Sequence, residues 1–180
     1  KLKIIPLGPL DEIGKNCTVL EYGKYMIVVD CGVAFPDEDM YGVDLVIPDF
    51  TYLVANEHKL KGFFITHGHE DHIGSIPYAM QQVNCPIHGT AMTNGLIKLK
   101  LEEHGLDKKV KLITHKPGDT VKAGAFSVEF IHVNHSIADA VAFCITTPVG
   151  KVIFTGDFKI DPTSADGMTD LARLGELGNQ

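Results

Sequence analysis

Short apolar runs, broken at intervals by glycine, proline and acidic residues, set the pattern of this chain and predict a strand-rich fold with a few helices. Residues 3–6, 18–22 and 25–30 read as early strands, the last two joined at Gly23-Lys24 in a tight hairpin. Residues 62–66 (Gly-Phe-Phe-Ile-Thr) read as a short buried strand, and residues 73–82 as the helix after it. Leu96, Ile97 and Leu99 place apolar side chains at helical spacing within residues 91–104, and Gly105 ends that helix. Strands follow at about 110–114, 126–133, 141–147 and 151–155, with Pro148, Val149 and Gly150 turning between the last two. Residues 35–48 form a loop too long for a simple connection. Residues 161–180 read as a polar loop and a short leucine-rich stretch with no closing strand. That ending, with a start that lacks methionine, leads to the expectation of a piece cut from a longer protein. Neither an internal repeat nor a linker divides residues 1–180, which read as one unit.

Composition narrows the class. The 180 residues suffice for one well-buried domain and are too few for two ordinary ones. A hydrophobic fraction of 44% and a charged fraction of 22% are those of a globular protein. No apolar run approaches the roughly 18–20 residues that span a bilayer, and Pro6, Pro9, Asp11 and Glu12 interrupt any signal-peptide core. The expected compartment is the cytoplasm, with no membrane partner. Cys17, Cys31, Cys85 and Cys144 are scattered, as buried thiols in a reducing compartment are. The formal charge of −7 argues against nucleic acid, because phosphate binding is driven largely by lysine and arginine. Two bound divalent cations would offset about four of those charges locally.

The run His67-Gly68-His69-Glu70-Asp71-His72 carries the chemistry. Imidazole and carboxylate are ligands that zinc and manganese accept. The spacing does not fit one face of a helix interior, where side chains meet three or four apart, but it fits a loop. In an extended segment His67 and His69 point the same way and grip one metal. Asp71 and His72, at the start of the next helix, reach a second. Two further positions repeat one design, a buried strand ending in an acid beside glycine: Asp30 before Cys31-Gly32, and Asp157 after Gly156. Turn aspartates are common, so either alone is a weak signal. His135 follows the strand at 126–133. His58, His88, His104, His115 and His132 belong to no motif, and His132 is assigned to the surface.

Taken in order, Asp30, the run 67–72, His135 and Asp157 resemble the motif order of the metallo-β-lactamase superfamily. Within it, the bacterial ribonuclease J family of the β-CASP group is the nearer resemblance. Leu-Asp-Glu-Ile-Gly-Lys-Asn at 10–16, Val-Val-Asp-Cys-Gly at 28–32 and Asp-Leu-Val-Ile-Pro-Asp at 44–49 carry it in the first part of the chain. Thr-His-Gly-His-Glu-Asp-His-Ile-Gly at 66–74, Val-Asn-His-Ser-Ile at 133–137 and Thr-Gly-Asp-Phe-Lys at 155–159 carry it further on. Pro9 stands where that family usually has glycine.

The resemblance implies an α/β (α+β) αββα sandwich, of which this chain is the N-terminal portion. It implies that the rest of the sandwich, the inserted β-CASP domain and a C-terminal domain lie outside it. It assigns His67, His69 and His135 to one metal, Asp71 and His72 to another, and Asp157 to a bridge between them. Asp30 orients the cluster by hydrogen bonds without touching a metal. Two divalent ions are expected, zinc or manganese foremost and magnesium as a further candidate. In the family's two-metal chemistry a water of lowered pKa attacks the phosphodiester phosphorus, with Asp71 and Asp157 as the catalytic acids that orient it or hold its proton. The implied activity is 5′-to-3′ exonucleolytic and endonucleolytic RNA cleavage in mRNA decay and rRNA maturation, with RNA and other RNA-decay proteins as partners. The family takes another histidine for the second metal from a downstream segment that is absent here. The isolated chain is therefore expected to bind one metal well, to cleave RNA poorly, and to self-associate over an apolar face left by the missing part of the sandwich. A hydrolase of thioesters or lactones on the same scaffold is the alternative, as is a non-catalytic metal-binding fragment.

Overall fold

The computed structural model describes residues 1–179. Strands β1 (Leu2–Pro6), β2 (Thr18–Tyr22) and β3 (Tyr25–Val29) form an antiparallel meander. From β3 the sheet continues in parallel through β4 (Leu60–Phe64), β5 (Ile87–Gly89) and β6 (Leu112–Thr114), in the order β1-β2-β3-β4-β5-β6. Parallel neighbours need crossovers, and helices supply them. A short helix α1 (Thr51–Ala55) and a 3-10 turn at Glu57–Lys59 precede β4. Helices α2 (Glu70–Ile73) and α3 (Ile76–Gln82) link β4 to β5, and α4 (Ala91–Glu103) links β5 to β6. A second, antiparallel sheet has the order β10-β9-β8-β7, built from β7 (Thr120–Ala123), β8 (Phe126–His132), β9 (Val141–Thr147) and β10 (Gly150–Phe154). Helix α5 (Leu171–Gly178) follows, with the Asp170 carboxylate accepting from the Arg173 N–H at 2.9 Å as its cap.

Side-chain alternation builds the layers. Val19, Met26 and Val28 face α1, α3 and α4, where Leu53, Ile76, Met80 and Ile97 cover them. Their neighbours Leu20, Ile27 and Val29 face the other way, with Phe64, onto Phe126, Val128, Phe130, Phe143 and Ile145 of the second sheet. Phe130 meets Phe143 edge-on at 5.0 Å and Phe64 meets Phe143 at 6.0 Å. Each such ring contributes roughly 1.5–3 kcal/mol by burial. On the outer face of the second sheet, Ile131, Val133, Ala142 and Cys144 lie under Leu174 and Leu177 of α5. The order is helix, sheet, sheet, helix. The inner face of the first sheet, which the sequence left for self-association to cover, is covered within the chain by β7–β10.

Several boundaries differ from the sequence reading. The strand expected at 62–66 ends at Phe64, and the helix expected from residue 73 already begins at Glu70. That helix breaks at Gly74-Ser75, where Ser75 turns its N–H to the Cys31 carbonyl (2.9 Å) and its hydroxyl to the Gly32 carbonyl (2.7 Å). Pro77 lies in the first turn of α3, where its missing N–H costs nothing. Helix α1 and the short strands β5 and β7 carry too few residues to show a period, and the leucine-rich end is helical.

Candidate metal centre

Strands β3 and β4 run parallel, as do β8 and β10 through their shared antiparallel neighbour β9. Asp30 follows β3, Thr66 and His67 follow β4, His135 follows β8 and Asp157 follows β10. The Val141 N–H donates to the Thr66 carbonyl at 2.9 Å and joins the two sheets there. Loops from four strand ends therefore converge on one edge of the sandwich. Two glycines permit the approach. A Cβ on Gly32 would lie 1.5 Å from the Asp71 carbonyl oxygen, and one on Gly156 would lie 2.9 Å from the Thr66 Cβ. Gly156 also has φ +56°, a left-handed value that favours glycine.

Asp30 is fully buried and itself left-handed (φ 61°), a conformation aspartate tolerates better than most residues. Its carboxylate accepts the Thr66 N–H at 2.8 Å and the Thr66 hydroxyl at 2.9–3.0 Å. His72 Nδ1 lies 2.8 Å from its other oxygen. Because a carboxylate only accepts, His72 carries a proton on Nδ1 and turns Nε2 to the cluster. The Thr66 hydroxyl hydrogen is committed to Asp30, so its oxygen accepts from His67 Nδ1 at 3.0 Å. The Nε2 lone pair of His67 is thereby turned toward His69 Nδ1, 3.1 Å away. One buried acid orients both imidazoles, His72 directly and His67 through a hydroxyl.

The donor atoms of His67, His69 and His135 lie within 4.8 Å of one another, and so do those of His67, His72 and Asp157. The rings of the first group stand edge-on, at 83° for His67 and His69 and 79° for His67 and His135. Asp157 Oδ2 is 3.5 Å from His72 Nε2 and 3.6 Å from His135 Nε2, between the two groups. Asp71 stands beside the second group, its Oδ2 3.5 Å from His72 Nε2. The seven residues expected to act together are together, with one difference in grouping. His67, assigned by resemblance to the first metal, also closes the second triad.

Burial pushes the His67 pKa down to about 3, helped by the neighbouring His72 charge, and burial also lowers that of His135. Neutral imidazole is the ligating form. Burial pushes His72 down too, but the Asp30 charge and hydrogen bonds from Asp157, Asp30 and Asp71 outweigh it and hold its pKa near 12. The His72 hydrogen bond drags Asp157 to about 2 and lowers Asp71, against the effect of burial. Without metal, a proton on His72 balances the acids that a cation would otherwise balance.

Sequence reasoning gave no role to Thr66 or Asn16, although both lie in the motif segments. Asn16 sends its amide to Asp71 and, with His72, Asp157 and Ile153, lines an opening of about 270 Å³ beside the cluster. Only the fold brings residue 16 to residue 71. His132, assigned to the surface, is half-buried, and its Nε2 is buried with no hydrogen-bond partner among the described residues.

Comparison with known proteins matches residues 10–173 to the family model described as Metallo-beta-lactamase superfamily. Ribonuclease J of Synechocystis sp. is 48% identical to this chain, over 99% of the chain and 28% of that protein. Ribonuclease J of Helicobacter pylori is 46% identical, over 99% and 26% respectively. Ribonuclease J 1 of Streptococcus pyogenes is 45% identical, over 98% and 32%. The chain thus spans 26% to 32% of the length of these relatives. A metallo-beta-lactamase fold protein of Bacillus subtilis superposes with a TM-score of 0.61 at 22% identity, over 86% of this chain and 62% of its own. At that identity the likeness is one of fold.

Proposed function

The chain belongs to the metallo-beta-lactamase superfamily, and from that premise we propose that it carries the metal ligands and catalytic acids of a phosphodiester hydrolase whose substrate, in the whole protein, is RNA. Membership of the superfamily implies divalent-metal binding. The observation that carries the finer reading is the pair of triads sharing His67, with the Asp157 carboxylate between them. This donor set fits zinc or manganese: imidazole nitrogens, with burial lowering the pKa of His67 and His135 toward the neutral, ligating form, and carboxylates beside those imidazoles. When bound, such ions lower the pKa of water and draw charge from phosphoryl oxygens. His67, His69 and His135 would hold one ion, and His72 and Asp157, with Asp71 beside them and His67 shared, the other. Asp71 and Asp157, ionised at neutral pH, orient the attacking water and take its proton. Asp30 and Thr66 keep the imidazole lone pairs aimed. RNA as substrate is supported by the 45% to 48% identity with ribonuclease J proteins over nearly all of this chain. All four cysteines are free and buried, which supports a reducing compartment, the cytoplasm. Among the described residues no helix is long and apolar enough to cross a membrane.

The experiment supplies the whole protein with zinc or manganese and offers it 5′-monophosphorylated RNA or an acyl thioester. Metal-dependent nucleotide release, lost in a His67→Ala/His69→Ala variant, is the expected result. Thiol release without nucleotide release would replace the reading with a thioesterase.

A further inference from the structure

Asn16 stands just before β2, where the chain passes between two pieces of the candidate metal centre. Its N–H donates to the Asp71 carbonyl at 3.1 Å, and its own carbonyl accepts the Gly32 N–H at 2.9 Å. The residue is stitched between the loop after β3, which presents Asp30, and helix α2, which presents Asp71 and His72. Its side chain extends the same way. The amide Nδ2 lies 3.1 Å from the Asp71 carbonyl oxygen and 3.4 Å from Asp71 Oδ2, and 3.3 Å from His72 Nε2. Two oxygen acceptors at that point fix the orientation of the amide, since its carbonyl turned there would face both of them.

We propose that Asn16 is a positioning residue for the divalent cation at the Asp71, His72 and Asp157 end of the centre, holding the Asp71 carboxylate in place beside His72 Nε2. The proposal rests on the metal-site reading above and deepens it. The two ends of the centre differ in what holds them. His67 is fully buried and locked through Thr66, so its ring has nowhere to go. The side chain of Asp71 is 33% exposed, on a helix of four residues. Left alone, it must be ordered when a cation binds, and that ordering weakens binding. The Asn16 amide supplies that order beforehand. It does so without consuming the ligand, because a carboxylate oxygen accepts two bonds. Asn16 is itself exposed, so replacing it leaves the core intact, and its backbone bonds survive in any residue.

The test titrates the metal-free 180-residue chain with cobalt(II), followed by visible absorbance, alongside Asn16→Ala and Asn16→Leu. The unfolding midpoint of each metal-free protein is measured in parallel. The expected result is a stronger and a weaker binding phase in the unaltered chain. In both variants the weaker phase loses about 10–100-fold in affinity while the stronger phase and the midpoint do not move. Unchanged affinity for both cobalt ions in the variants overturns the role of Asn16 and leaves the metal-site reading standing. Loss of both phases together with a lowered midpoint overturns it in favour of a general structural role. An unaltered chain that takes up one cobalt has no second position for Asn16 to serve, and one that takes up none overturns the metal-site reading as well.

Discussion

Two groups of histidines in this chain are built from the same side chain and end in opposite states. In the first, His67, His69, His72 and His135 turn their ring nitrogens inward and meet Asp157 and Asp71. In the second, His88 lies flat on Phe64 (4.6 Å, 8°) and His115 leans on Phe130 (4.9 Å, 37°), with 2.9 Å between His88 Nδ1 and His115 Nε2. The carboxylate nearest the second pair is that of Asp119, 3.9 Å from the far nitrogen of His115. Imidazoles make a candidate cation site where their edges converge with acids, and a piece of core where their faces are covered by phenylalanine. Residue type alone does not distinguish the two outcomes, but the placement of carboxylates does.

The comparison breaks most sharply on metal content. His67→Ala with His69→Ala removes two of the three donors of one group and a shared donor of the other. That variant should hold essentially no zinc after desalting, because an open site needs about three protein ligands. His88→Asn, which keeps a hydrogen-bonding atom near the position of Nδ1, should hold as much as the unaltered chain. Elemental analysis of the two proteins decides, and equal content would sink the assignment of the first cluster.

Acid separates the clusters next. Burial, then the neighbouring His115 and Lys111 charges, depress the His88 pKa from 6.5 to about 4. A depressed histidine favours the neutral fold. Its contribution is complete above pH 6.5 and declines as pH falls toward 4, where the unfolded chain takes up a proton that the folded chain refuses. At about 1.4 kcal/mol per pKa unit the loss from this residue approaches ~3 kcal/mol. His67 titrates in the same sense in metal-free protein. The informative quantity is therefore the difference between the unaltered chain and His88→Asn. Urea unfolding at pH 7, 5.5 and 4 should give a flatter decline for the variant, and parallel declines would mean that His88 ionises freely in the fold.

A smaller effect is expected from Asp30→Asn. The change keeps size and the left-handed backbone but places an N–H₂ group where Thr66 and His72 donate. Zinc affinity, measured against a chromophoric chelator, should fall about 10–100-fold with the ligands themselves intact. Unaltered affinity would show that Thr66 and the packing around His72 orient the rings without the acid.

The legibility of the molecule follows the length over which each signal repeats. Strands of five to seven residues such as β2, β8 and β9 were legible, because their apolar residues form runs long enough to stand out. The three-residue β5 and the four-residue β7 were not, since at most two periods of alternation stand out little from their surroundings, although the equally short β6 was read within 110–114. The ligand run 67–72 was legible because its chemistry is dense in sequence. Asp30, His135 and Asp157 needed the resemblance, as a lone acid or histidine after a strand has many ordinary explanations. Thr66 and Asn16 were out of reach. Their partners are set by which strand ends the fold brings to one edge, and no local pattern encodes that. The covering of the first sheet by β7–β10 was missed for the same reason, since the strands were legible but their sheet was not.

The smallest effect lies inside the motif itself. Glu70 and Asp71 are adjacent in α2, yet they face different parts of the molecule. Asp71 sits beside His72 Nε2, whereas both oxygens of Glu70 reach Lys100 on α4, at 2.6 and 2.7 Å. Glu70 is about half exposed and Lys100 about a quarter, so solvent screens the pair and its contribution is roughly 0–1 kcal/mol. Glu70→Gln should therefore lower the unfolding free energy by less than ~1 kcal/mol. The gap from the unaltered chain should narrow in 1 M salt, where the screening length falls to about 3 Å. Metal content should not change. A loss of metal in Glu70→Gln would mean that the boundary of the centre runs through α4 and Lys100. Retention would confine the centre to the side of α2 that faces Asn16, His72 and Asp157, and would mark Glu70 as the one carboxylate in the run that serves the scaffold.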